Sequence, residues 1–186
     1  MTRIKLCGLS RPEDIASANR VQPEFVGFVF VPGSKRYVST RQAKRLKALL
    51  SPRIQAVGVF ANAEPETVAG LLDRGVIDLA QLHGGESGDY IRRLRALTGK
   101  PIIQAFRITS AQDVMRAETS IADHILLDIR RMLNRHGSLA TWVRGVHLHQ
   151  SLSGAYVKTH TGFTTGGTAA GLYGAVWSEL STYPPD

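Results

Sequence analysis

Cysteine is nearly absent from this chain: Cys7 is its only one. An internal disulfide is thereby excluded, and a reducing compartment is implied. Long apolar runs are missing too, since no stretch approaches the ~18 uninterrupted apolar residues of a membrane-crossing helix. The N-terminus, Met1-Thr2-Arg3-Ile4-Lys5-Leu6-Cys7, enters a strand pattern at once and offers no secretory h-region or cleavage site, so a cytoplasmic location is expected. Acids are scarce after Asp128, where only Glu179 and Asp186 face five bases; residues 1–128 carry thirteen acids against eighteen bases. The formal charge of +8 and pI near 10.1 invite a nucleic-acid reading. Neither part, however, has a long basic run interleaved with aromatics, so the charge reads as a solvated surface. With 186 residues, 43% of them hydrophobic and 20% charged, the chain fits one soluble domain.

Up to about position 128 two hydrophobic periods alternate. Short apolar runs at 4–7, 25–31, 54–60, 77–82, 101–106 and 124–127 are rich in β-branched and aromatic residues and bounded by Gly, Pro or polar clusters, as buried strands are. Between them, Ser39-Thr40 is placed to cap a helix from Arg41 to Leu50, with Ala43, Leu46, Leu49 and Leu50 on one face. Glu64 to Arg74 groups Val68, Leu71 and Leu72 and stops at Gly75, and Tyr90, Ile91, Leu94 and Leu97 line up before Gly99. Pro12 to Asn19 and Ala111 to Glu118 complete five helices. Strands recurring at intervals of roughly 21 to 29 residues with helices between them need crossovers, hence a parallel sheet. A (βα)8 barrel and an open doubly wound sheet share this rhythm. Gly8-Leu9-Ser10-Arg11-Pro12 lacks the Gly-x-Gly-x-x-Gly of a dinucleotide fold, which favours the barrel.

From Ile129 to Asp186 the texture changes. These residues hold eight of the eighteen glycines and four of the six histidines, and no helical period is sustained. The two further strands and helices of a full barrel are not recognisable there, so an incomplete barrel is expected: βα units 1–6 over residues 1–128, then an atypical Gly/Ser/Thr-rich segment over 129–186.

In a parallel barrel the strands' C-terminal ends share one face, where the loops build the site. Cys7 ends the first strand, followed by Gly8; taken alone, an isolated cysteine reads first as a small buried hydrophobe. Asp128 follows four buried-looking residues, where a carboxylate is costly unless paired or at the mouth of the sheet. Arg36 lies in the loop after the second strand, and Gln81 and His83 alternate about Leu82 so as to share a face. No metal is expected: His83 has no second ligand at suitable spacing, and His147-Leu148-His149 is a short pair in the atypical segment. Gly166-Gly167 lacks the flanking strand and helix of a phosphate loop.

Five pieces in order, Ile4-Lys5-Leu6-Cys7-Gly8-Leu9, Gly27-Phe28-Val29-Phe30 running into Ser34-Lys35-Arg36-Tyr37-Val38-Ser39, Gly58-Val59-Phe60-Ala61-Asn62, Ala80-Gln81-Leu82-His83-Gly84 and Leu126-Leu127-Asp128, resemble phosphoribosylanthranilate isomerase over residues 3–128. The resemblance implies a (βα)8 barrel and a cofactor-free Amadori rearrangement of a phosphosugar-anthranilate in tryptophan biosynthesis. It implies Asp128 as general acid, Cys7 as general base and Arg36 as holder of the anthranilate carboxylate, with Gln81 and His83 binding substrate. Lys5, two residues before Cys7 on the same face, is expected to favour the thiolate. A monomer or weak homodimer is implied, with neither nucleic acid nor membrane as partner. The family's later features are not readable after Asp128: a Gly-rich loop before a Phe-Asp-Trp-like helix start, a strand ending in Gly-Gly, and a strand with Ser-Ser-Gly. A chain out of frame or replaced after about Ile129 is therefore expected, with exposed edges prone to aggregation. Two rivals stand beside the enzyme: a non-catalytic remnant of it, and a basic nucleic-acid-binding module.

Overall fold

The computed structural model describes residues 3–108, 110–129 and 155–159. Their elements run β1 (Lys5–Cys7), α1 (Pro12–Val21), β2 (Phe25–Val29), α2 (Thr40–Leu49), β3 (Gln55–Phe60), α3 (Pro65–Asp73), β4 (Leu79–Leu82), α4 (Gly88–Leu97), β5 (Ile102–Arg107), α5 (Ala111–Glu118), β6 (His124–Ile129) and β7 (Ala155–Thr159). The six strands and five helices expected before residue 130 are all present, with ends within a few residues of the sequence pattern. Two compact units can be distinguished: the described residues up to Ala105 with Ser120–Ile125, and Phe106–Thr119 with those from Leu126 onward.

In the first unit, β1 to β5 pair in chain order, every pair parallel. Parallel partners at one level point the same way, so the registers sort side chains into two faces. Val26, Phe28, Ala56, Phe60, Ala80, Leu82 and Ile102 face the helices and form a continuous core with Ile15 and Ala18 of α1, Ala43 and Leu46 of α2, Val68 and Leu72 of α3, and Ile91 and Leu94 of α4. Two apolar residues expected on helix faces are not covered. Leu49 is 55% exposed and Leu97 44% exposed, each the last residue of its helix.

The opposite face carries Lys5 and Cys7 of β1, Gly27 and Val29 of β2, Val57 and Val59 of β3, Leu79 and Gln81 of β4 and Ile103 of β5. On a flat sheet β1 and β4 would lie about 14 Å apart, three strand spacings, and side chains standing off it would not meet. Yet the Lys5 ammonium donates to Gln81 Oε1. The sheet of this unit is therefore curled with this face inward, as in a barrel wall.

In the second unit the Ile108 N–H donates to the Asp128 carbonyl at 3.0 Å, and Ser110 and Asp113 form a reciprocal box that starts α5. Strand β7 lies beside β6. It falls where the sequence offers no recognisable strand: Ala155-Tyr156-Val157-Lys158-Thr159 has the β-branched and aromatic content of a strand, but is too short to show a period against its Gly/Ser surroundings. His147-Leu148-His149 and Gly166-Gly167 lie outside the described residues.

Candidate active site

Cys7 is half-buried at the C-terminal end of β1. Its register partner is Gly27, and a Cβ at Gly27 would lie 2.6 Å from the Cys7 sulfur; the thiol occupies space that any other residue would fill. The chain then turns at Gly8, whose φ of +90° is a conformation that L side chains rarely adopt. The Gly8 and Leu9 N–H groups both donate to the Gly27 carbonyl, at 2.8 and 3.1 Å, and Gln42 Nε2 donates to the Ser10 carbonyl at 2.7 Å. The loop is thus fixed from both sides.

Arg36 reaches this turn from the loop after β2. That loop folds back because Val38 N–H donates to the Val29 carbonyl at 2.9 Å and Tyr37 N–H to the Ser34 carbonyl at 3.0 Å. The guanidinium lies across Gly8 and Nη1 donates to the Cys7 carbonyl at 3.3 Å. A Cβ at Gly8 would stand 2.5 Å from Arg36 Cδ, so the missing side chain is what admits the arginine. The structure therefore brings Cys7 and Arg36, separate in sequence, to one strand end.

Gln81 is 1% exposed, in the middle of the inward face. Its Oε1 accepts from Lys5 and its Nε2 lies 3.0 Å from His83 Nδ1. Lys5, which shares this face with Cys7, thus donates across the sheet to Gln81. His83 lies just past β4, its N–H donating to the Phe60 carbonyl at 2.8 Å. Asp128 is 1% exposed near the end of β6, in the second unit.

One functional-face feature escaped the sequence reading. Glu86, 8% exposed, accepts the Asn62 N–H and the Gly84 N–H, each at 2.7 Å, while Asn62 Oδ1 accepts the Gly85 N–H at 2.8 Å. Asn62, at φ +56°, and Glu86 thereby tie the loops after β3 and β4 together. The available signal was an acid directly after two glycines whose amides need an acceptor. Among the described residues, no three of His, Cys, Asp and Glu gather as metal ligands, and no helix is long and apolar enough to cross a membrane.

A curled parallel sheet covered by helices, with polar side chains gathered inside and at the C-terminal strand ends, defines a (βα)8-barrel-type protein, and the candidate residues Cys7, Arg36 and His83 lie at that rim. A sequence model of the N-(5'phosphoribosyl)anthranilate (PRA) isomerase family matches residues 4–167, and the chain belongs to this family. It is 39% identical over 138 residues to the N-(5'-phosphoribosyl)anthranilate isomerase of Endomicrobium trichonymphae, covering 74% of this chain and 67% of that one. It is 41% identical over 126 residues to that of Lachnoclostridium phytofermentans, covering 68% and 57%. The alignments thus span between 57 and 67% of the length of these curated relatives. The crystal structure of phosphoribosyl anthranilate isomerase from Thermotoga maritima superposes with a TM-score of 0.61 at 33% identity, covering 69% of this chain and 62% of that one. The fold expectation is met.

Proposed function

We propose that this chain catalyses the Amadori rearrangement of N-(5-phosphoribosyl)anthranilate to 1-(2-carboxyphenylamino)-1-deoxyribulose 5-phosphate in tryptophan biosynthesis, without a cofactor. The observation that carries the reading is the family match over residues 4–167 taken with Arg36 lying across Gly8 onto the Cys7 carbonyl. A planar guanidinium suits a carboxylate, and here one stands at the strand end that bears the thiol.

Asp128 protonates the furanose ring oxygen, the C1–O bond opens, and the nitrogen lone pair completes a protonated Schiff base. The Cys7 thiolate then removes the C2 proton, and the C2–H electron pair moves to give the neutral enolamine. Tautomerisation of the enol to the ketone completes an isomerisation with no net gain or loss of atoms or electrons. Arg36 holds the anthranilate carboxylate, and Gln81 and His83 serve the same pocket.

The test is turnover of phosphoribosylanthranilate by the purified chain. Cys7→Ser and Asp128→Asn are each expected to reduce kcat by about 10²- to 10⁴-fold while leaving the far-ultraviolet dichroism unchanged. A wild-type rate unaltered by both substitutions would remove their roles. Alignment to only part of the relatives' length favours one other reading, a non-catalytic remnant. Folded chain with neither turnover nor saturable binding of a product analogue would establish that instead.

The proposed general acid and base both lie within residues 1–128, and the reading is that the chain departs from the family's motifs after about Ile129, out of frame or replaced, even though the family model extends to residue 167. The nucleotide sequence after codon 128 tests this, with the missing strand motifs recovered in another frame. We place the protein in the cytoplasm as a monomer or weak homodimer, to be read by light scattering at increasing concentration.

A further inference from the structure

We infer that Gln81 is a positioning residue: it fixes the proton of His83 on Nε2 and so sets that ring as a hydrogen-bond donor toward the substrate. The inference deepens the isomerase reading in its functional use, but the proton's position can be measured whether or not the chain turns over.

The assignment follows from donor and acceptor chemistry. A lysine ammonium has donors only, so the atom of Gln81 that faces Lys5 must be the amide oxygen. The other end of the amide is then the NH2 group, which also has donors only. That group lies 3.0 Å from His83 Nδ1. Nδ1 must therefore accept with its lone pair, and a neutral imidazole carries its one proton on Nε2. Turning the amide over would set its NH2 against the ammonium, donor to donor. At 1% exposure Gln81 is shut off from the bulk solvent that could relieve that mismatch. Lys5 on β1 thus fixes the amide, the amide fixes the ring, and the three residues share the inward face that the sheet's curl creates.

An Nε2–H matches a substrate rich in acceptors, with a carboxylate, a phosphate and hydroxyls; an Nε2 lone pair would repel the same groups. Gln81 consequently acts on substrate through His83 and Lys5, which refines the expectation that it binds substrate itself.

Heteronuclear NMR of the histidine ring nitrogens in the full chain tests this, with the His83 signal assigned by its loss in His83→Asn. The wild type is expected to show the proton on Nε2. In Gln81→Glu, a carboxylate that can only accept should draw the proton to Nδ1. The same variant should raise KM for phosphoribosylanthranilate about tenfold with a smaller change in kcat, the pattern of lost binding rather than lost chemistry. In Lys5→Met the amide is released and the proton should spread over both nitrogens. A wild-type proton on Nδ1 would overturn the inference while leaving the isomerase reading intact. So would an unchanged Nε2–H signal in folded Gln81→Glu. An inactive chain whose spectra behave as expected would end the isomerase reading and leave the proton assignment standing.

Discussion

At the scale of single residues, the site depends on two side chains that are not there. Gly8 and Gly27 leave the room that Arg36 and the Cys7 thiol occupy. Gly8→Ala places a Cβ where φ is +90° and within 2.5 Å of Arg36 Cδ. We expect it to cost about 1–2 kcal/mol in urea unfolding from backbone strain. It should also raise KM, because the guanidinium must move; an unchanged KM would separate Arg36 from substrate binding. Gly27→Ala is expected to cost about 1–3 kcal/mol through overpacking against Cys7. It should lower turnover by displacing the sulfur, as paired unfolding and rate measurements would show. Cys7, Arg36, Gln81 and His83 were legible from their places near strand ends and from the resemblance. The Lys5–Gln81 hydrogen bond was not legible, because spacing along a strand reveals which face a residue shares but not which partner it finds across the sheet.

Among the elements, the helix starts were the most legible part of the chain because their chemistry is local. Ser39 Oγ accepts the Gln42 N–H and Ser87 Oγ the Tyr90 N–H, so Ser39→Ala and Ser87→Ala should each cost about 1 kcal/mol. They cap separate helices, and the double variant should lose close to the sum. A device at the other strand ends was not legible. The residue directly before each even strand is an acid, and it accepts an N–H at the start of the preceding strand: Glu24 from Ile4, one residue before β1, Asp78 from Ala56 and Asp123 from Ile102, at 2.7 to 2.8 Å. Asp78 also takes the Lys47 ammonium and Asp123 the Arg95 guanidinium at 3.1 Å. Asp78→Ala leaves the Ala56 amide without this acceptor and should cost about 1–3 kcal/mol, more than loss of a cap. Because these acids lie at the N-terminal ends of the strands, kcat of the folded variant should stay at the wild-type value.

For the molecule as a whole, the ionisable groups give stability a ceiling and a floor in pH. The Arg11 side chain and the Ser10 N–H hold Asp14 below the usual carboxylate range, and the Ile4 N–H does the same for Glu24. Burial opposes the charge of Asp123, but the Ile102 N–H and Arg95 outweigh it and its titration is also lowered. All three bind protons more weakly folded than unfolded. Their contribution is complete above the ordinary carboxylate range near pH ~4 and is lost as pH falls through their lower folded values. Tyr90 acts at the other end. Burial, then Glu86, Glu64 and Glu66, push its phenol up to about 12, so the unfolded phenol ionises first and stability falls from pH about 10 upward. Urea midpoints measured across pH should therefore fall at both extremes, and Tyr90→Phe should flatten the alkaline fall. By itself the sequence determined the alternation of strands and helices, the faces they bury and the order of the family's motifs, because hydrophobic period, caps and turns act over a few residues. Only the tertiary structure decided that Arg36 crosses Gly8 to Cys7, that Lys5 reaches Gln81 and that Glu86 binds two loops. Those contacts depend on strand register and on the curl of the sheet, which arise from pairing between residues far apart in the chain.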